Sequence, residues 1–450
     1  MAKSFRFPKD FVFGTATASY QIEGAAKEDG RGESIWDFFS HTPGKTYQGH
    51  TGDVACDHYH RVDQDIALMK ALNTTAYRFS IAWPRIIPDA EGAVNPKGLD
   101  WYSKLVDKLL AAGITPFATM YHWDLPQVLE AKYGGWRSRK TPDAFRRYAE
   151  VIVKHLGDRV KNWMTMNEMP CTIYLGYKNG NHAPGAKESE AVLSHIAHHC
   201  LLAHGHGVAA VRQFGGAGTE VGLAHNPGCC VPVVETKANI AAAAQAFEDR
   251  NGTLLSPLAR GEYPAAYLAS LGKDGPEIRD GDMKLISGKL DFMGLNIYGG
   301  SFYEAAKGGD KPYRVIEFPK SYPHAFADWI KIVPQALYWG IRYQHELYGY
   351  QKFYVTENGC AMDDQLVDGR VDDTDRLTYY RLYLSAAQRA TADKLPLKGY
   401  FAWSLLDNFE WAEGYRHRFG LHYVDYETQK RTQKLSAKYY AACAKAKAVL

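Results

Sequence analysis

Short runs of apolar, β-branched and aromatic residues recur along the chain, each followed by a stretch with apolar positions at three- and four-residue spacing. The runs at 11–20, 75–82, 115–122, 160–167, 220–225, 290–297, 353–356 and 397–404 predict strands. The stretches at 98–112, 141–156 and 373–392 predict amphipathic helices, with Thr141-Pro142 as a starting pair and Gly113 as a stop. Eight strands alternating with helices predict a parallel sheet, and at 450 residues a closed (β/α)8 barrel with long βα loops fits better than an open sheet. No GxGxxG turn follows the first strand, which counts against a dinucleotide-binding fold. No short repeat and no Pro/Gly/Ser linker divides the chain, so residues 1–450 are expected to form one domain.

In such a barrel the working residues sit at the C-terminal ends of the strands. The first strand ends in Gln21, the second is centred on Arg78, and the third reaches His122-Trp123-Asp124. The fourth ends in Asn167-Glu168, the sixth in Asn296-Ile297-Tyr298 and the seventh in Glu357-Asn358. The eighth runs through Trp403 to Asp407-Asn408-Phe409-Glu410-Trp411. Amides, carboxylates, one histidine and indole rings would meet in one pocket. That lining suits a polyhydroxylated ring better than a phosphate, a metal or a lipid.

Composition narrows the field. With 53 Lys+Arg against 50 Asp+Glu the chain is nearly neutral, leaving no basic stripe for nucleic acid. Charged residues make up 23% and hydrophobic residues 46%, an ordinary globular balance. Aromatic residues are in excess at 13%, material for a core or for the walls of a pocket. The seven cysteines are scattered without a CxxC pair, and the N-terminus has no apolar leader, so a reduced, cytoplasmic protein is expected. No apolar run is long enough to span a bilayer.

Glu168 and Glu357 stand out because each ends a β-rich run, on strands four and seven. Either alone could be a helix cap or a loop ion pair. Facing each other across a barrel mouth, they fit the two carboxyls of glycoside hydrolysis. Further segments point the same way: Gly14-Thr15-Ala16-Thr17-Ala18-Ser19-Tyr20-Gln21-Ile22-Glu23-Gly24, Tyr77-Arg78-Phe79-Ser80 with Trp83-Pro84-Arg85, and His122-Trp123-Asp124-Leu125-Pro126. Thr356-Glu357-Asn358-Gly359 and the run from Trp403 to Trp411, continued by Gly414-Tyr415 and Arg418-Phe419-Gly420-Leu421, complete the set. Over essentially its whole length the chain resembles the β-glucosidases of glycoside hydrolase family 1.

The resemblance implies a retaining exo-β-glycosidase acting on terminal β-D-glucosyl residues, with β-D-galactosides and β-D-fucosides as further donors and no cofactor or metal. Glu357 would attack the anomeric carbon while Glu168 protonates the leaving group and later activates water. Retention expects the two carboxyls ~5–5.5 Å apart, against ~6.5–9.5 Å for inversion. Glu168 should have a raised pKa from burial and the Glu357 charge, and Arg78 with Tyr298 should keep Glu357 ionised. The resemblance places Gln21, His122, Asn167, Glu410, Trp411 and Phe419 around the sugar, with Trp403 as the plate beneath it. Asn167 would face the 2-hydroxyl. Without the resemblance, Arg78 reads equally as a structural ion pair, and His122 and Trp403 as core residues. An anionic Glu410 would repel a phosphate dianion, so unphosphorylated sugars are expected.

Two departures matter. The usual Pro-aromatic pair after the acid is replaced by Met169-Pro170, which puts leaving-group preference in doubt. Gly299-Gly300 follow Tyr298 where the family often carries Thr, which predicts a looser loop. His195, His198, His199, His204 and His206 cluster on one helical segment without an HExxH pattern, so packing is expected there rather than metal binding. Gly215-Gly216-Ala217-Gly218 lacks the Lys-Ser/Thr of a phosphate loop and reads as a turn. A non-catalytic sugar-binding barrel would lack one of the two carboxylates, and a thioglycosidase would lack the acid. Transglycosylation shares every catalytic residue and remains open as a side activity.

Overall fold

A computed structural model describes residues 5–450. Eight parallel strands close into a barrel: β1 (Val12–Ala16), β2 (Ala76–Ser80), β3 (Thr115–Tyr121), β4 (Asn162–Asn167), β5 (Glu220–His225), β6 (Met293–Asn296), β7 (Phe353–Asn358) and β8 (Leu397–Trp403). Each strand pairs with its neighbours in sequence and β1 closes on β8, as through Ala16 opposite Trp403. All eight predicted strands are present.

Their ends differ from the sequence expectation, and the differences bear on the site. β1 stops at Ala16 because the Thr17 N–H donates to the Arg78 carbonyl at 2.9 Å and the chain then turns into a short helix, Ser19–Ile22. Gln21 therefore sits on a helical turn above the barrel rather than on the strand. β7 runs two residues beyond its predicted end, so Glu357 lies on the strand itself. The ladders shift register between Met164 and Asn167 on β4 and between Val355 and Glu357 on β7. Such irregularities re-aim side chains at the strand mouth.

Amphipathic helices cover the outside. Pro96–Ala111 begins two residues before the predicted Gly98, because Asn95 accepts from the Lys97 N–H and Pro96 suits the first helical position. Lys140–Leu156 contains Thr141 rather than being capped by it; the Thr141 hydroxyl instead donates to the Gly135 carbonyl at 2.5 Å. Gly113 does follow the helix end, with φ +75°. Below the site, Phe117 meets Phe401 at 4.9 Å and Tyr354 at 5.2 Å between ring centroids, filling the barrel. Two additions frame the mouth. Cys230–Pro232, Ser301–Ala305 and Tyr313–Ile316 form a small sheet, and His422–Val424 pairs with Arg431–Gln433.

Candidate active site

Arg78 lies at the centre of the barrel mouth, fully buried on β2. One guanidinium nitrogen, Nη1, contacts Glu357 Oε1, and Nη2 donates to Asn167 Oδ1 at 2.6 Å. The other Glu357 oxygen accepts from the Tyr298 hydroxyl at 2.7 Å. A buried carboxylate with a cation and a hydroxyl on its two oxygens is compensated.

Glu168 has different neighbours. It follows β4 in a left-handed conformation, φ +44°, its N–H held by the Ala224 carbonyl at 2.8 Å. The carboxyl accepts from Asn296 Nδ2 at 2.6 Å and from the Cys171 thiol at 3.0 Å, with no cation in contact among the described residues. Asn296 connects the two halves. Its Oδ1 accepts from Thr356 Oγ1 at 2.7 Å, so its amide nitrogen faces both Glu168 and Asn167 Oδ1, the latter at 3.0 Å.

The environments separate the two acids. Burial and the neighbouring Glu357 charge push the Glu168 carboxyl up to about 7. Burial raises Glu357 as well, opposed by the Arg78 guanidinium and the Tyr298 hydroxyl. The negative charge of the pair therefore settles on Glu357, in contact with its cation, and the proton on Glu168.

A second cluster continues from Asn167. With its Oδ1 taken by Arg78, Asn167 Nδ2 donates to His122 Nε2 at 3.0 Å, which leaves the imidazole proton on Nδ1. Burial and the Arg78 charge keep His122 neutral. The His122 ring stacks at 5.9 Å from Trp403 and 5.8 Å from Trp411. Trp411 has φ +53°, a strained value for a bulky residue, and is wedged between Trp36 at 4.6 Å and Trp123 at 4.7 Å. Gln21 Nε2 donates to the Phe409 carbonyl at 2.9 Å and to Glu410 Oε2 at 3.2 Å. Gln21 Oε1 and His122 Nδ1 have no hydrogen-bond partner among the described residues. Phe419 packs edge-on against Tyr298, ring centroids 6.1 Å apart.

All the residues expected at the site thus belong to one connected cluster. Two properties differ from expectation. Burial, then the charges of Glu357 and Glu168, raises Glu410 to about 8, well above an ordinary carboxylate, which weakens its charge as a barrier to a phosphate. Gly299 and Gly300 do not loosen their loop. A Cβ on Gly299 would stand 2.8 Å from the Lys331 carbonyl, and one on Gly300 2.9 Å from the Cys229 carbonyl, so both glycines permit close packing. The Tyr298 carbonyl is also held by the Tyr383 hydroxyl at 2.8 Å.

The bridge made by Asn296 and the thiol contact of Cys171 have no counterpart in the sequence reading, although Asn296 ends a predicted strand. Asp407 likewise anchors the Asn408–Trp411 segment from beneath, accepting from Lys434 at 2.6 Å, Arg418 at 2.7 Å and the Gly420 N–H at 2.9 Å. The clustered histidines have local partners: His198 lies between Tyr263 and Asp282, His199 reaches the Trp136 carbonyl, and His204 the Thr165 hydroxyl. Among the described residues no group of three or more candidate ligands could hold a metal ion, and no helix is long and apolar enough to cross a membrane.

A parallel barrel whose mouth holds two buried glutamates, one beside a cation and one not, has the architecture of a glycoside hydrolase. The family model for glycosyl hydrolase family 1 matches residues 3–449, and the chain belongs to that family. It is 45% identical over 445 residues to a β-glucosidase of Agrobacterium sp., covering 98% of this chain and 95% of the relative. β-Glucosidase A of Thermotoga maritima is 45% identical over 438 residues, with 97% of each chain covered. A T. maritima family 1 glycoside hydrolase solved with a cyclophellitol-analogue transition-state mimic superposes with a TM-score of 0.91 at 43% identity, covering 100% of both chains.

Proposed function

We propose that this chain is a retaining β-glucosidase whose residues 1–450 form a single catalytic domain. The observation that carries the reading is the asymmetry of the buried glutamates. Glu357 has Arg78 and Tyr298 on its oxygens, while Glu168 has only neutral donors and a carboxyl raised to about 7. Glu357 attacks the anomeric carbon as Glu168 gives its proton to the departing oxygen, producing a covalent glycosyl-enzyme. Glu168, now ionised, takes a proton from water, which displaces Glu357 with a second inversion.

On the sugar side, the unpartnered atoms of Gln21 and His122 suit ring hydroxyls, and Trp403 and Trp411 supply flat apolar faces. Asn167, locked by Arg78 and His122, is placed for the 2-hydroxyl, and Phe419 backs Tyr298. A Glu410 carboxyl raised to about 8 donates as well as accepts when protonated, which suits either orientation of a 4-hydroxyl and so β-D-galactosides and β-D-fucosides beside β-D-glucosides. Sugar acceptors compete with water for the same intermediate, giving transglycosylation as a side reaction. The family resemblance implies no cofactor, and seven free cysteines favour a reducing, cytoplasmic setting.

Proton NMR of aryl β-D-glucoside hydrolysis tests the reading. The β-anomer should appear first and mutarotate afterwards. Initial release of the α-anomer would refute double displacement.

A further inference from the structure

A cavity of about 660 Å³ reaches the partners of the catalytic pair, with none of Gln21, Glu410 and Trp411 in its lining. Asn296 and Tyr298, the partners of Glu168 and Glu357, form its inner wall, and Pro170, next but one after the acid, is part of its lining. A leaving group protonated by Glu168 would depart on this side. The volume lies within the usual range for small-molecule sites, ~300–1,000 Å³. Its charge is one-sided: Arg250 and Lys331 stand on the wall, and no Asp or Glu is among the lining residues.

The Arg250 guanidinium is held there by local structure. Arg250 lies across Gly228; a Cβ at that glycine would fall 2.1 Å from the guanidinium Nε. Asn251 fixes the same turn, accepting from the Gly228 N–H at 2.8 Å and donating to its carbonyl at 3.3 Å. The Lys331 backbone is brought down onto this wall by the close approach of its carbonyl to Gly299. The carboxylates next to Arg250 on its helix are already engaged: Glu248 with Arg260 at 2.9 Å and Asp249 with Lys311 at 2.5 Å.

We propose that the leaving-group side of this site selects β-glucosides whose aglycone carries a carboxylate, received by Arg250 and Lys331. The inference rests on the glucosidase reading and adds the chemistry of the leaving group. An aromatic body would pass the exposed ring of Trp329, which meets Tyr298 edge-on at 5.6 Å, in a site where Met169-Pro170 provides no plate beside the acid.

Two matched substrate pairs test it: phenyl β-D-glucosides with a para carboxylate or a para carboxyethyl chain, each against its primary amide. The readout is the ratio of kcat/KM for acid over amide. The ratio should fall about 5–30-fold in the Arg250→Gln/Lys331→Gln double variant, the effect of two part-exposed charge contacts. It should fall in the wild type at 0.5 M NaCl and be largely retained in Arg250→Lys. An unchanged ratio in the double variant for both pairs would overturn the proposal while leaving the glucosidase reading intact. A wild type inert toward all four glucosides would bring down the glucosidase reading first, and this inference with it.

Discussion

In the proposed reaction Glu168 serves as the acid, its proton held near neutrality by burial and the Glu357 charge. The sign of the pH dependence follows. Raising the pH through about 7 removes the proton the leaving group needs, so kcat/KM declines on the alkaline side. Glu168→Ala should abolish that limb. It should cost roughly 10²–10⁴-fold in kcat/KM for glucosides of poorly acidic alcohols, and far less for 2,4-dinitrophenyl β-D-glucoside, whose phenolate leaves without assistance. A leaving-group series on both proteins checks this; equal losses throughout would remove Glu168 from the role. The candidate residues for such chemistry were legible because each ends a strand within a short characteristic run, as in Thr356-Glu357-Asn358-Gly359. The bridge through Asn296 and the raised carboxyl of Glu410 were not. Both depend on which distant groups the closed barrel places beside one another.

At the scale of elements, the barrel strands were legible through runs of apolar and β-branched residues, while their ends were not. The chain leaves β1 early for a helical turn, and β7 continues past its apolar run to carry Glu357. Strand Ser301–Ala305 is short and half exposed, too weakly patterned to be read. The segment after β8 has no regular ladder and relies on Asp407. Buried with Lys434 and Arg418, that carboxylate ties the base of the turn bearing Glu410 and Trp411. Asp407→Asn leaves buried Lys434, which keeps Asp364 at 2.6 Å, and half-buried Arg418 short of one charge, and should cost about 1–3 kcal/mol in urea unfolding. The surviving folded enzyme should show a raised KM for an aryl glucoside, because Gln21 loses a fixed partner in Glu410. Unchanged stability together with unchanged KM would mean the segment is held by its backbone contacts alone.

Across the whole molecule, buried ionisable groups set opposing trends of stability with pH. His182, His199, His225 and His422 are lowered by burial to about 4, and His204 to about 3. Each binds fewer protons folded than unfolded below its ordinary value of 6.5, so stability is lost as pH falls through that window. Asp124 and Glu168, raised to about 7, and Glu410, raised to about 8, act in the other direction. They bind more protons folded than unfolded, so their contribution is present in acid and is lost as pH rises toward 8. Between pH 4.5 and 6.5 the buried histidines oppose the raised carboxyls, and above 6.5 the carboxyls act alone. Tm should therefore peak near pH 6–7, drop on the acid side and decline again toward pH 8. Glu410→Gln removes the carboxyl that titrates last and should flatten the alkaline decline while leaving the acid side in place. Calorimetric scans of the two proteins from pH 5 to 8.5 make the comparison. Parallel alkaline slopes would place the Glu410 carboxyl in its ionised form throughout, and would restore its charge as a barrier to phosphorylated sugars.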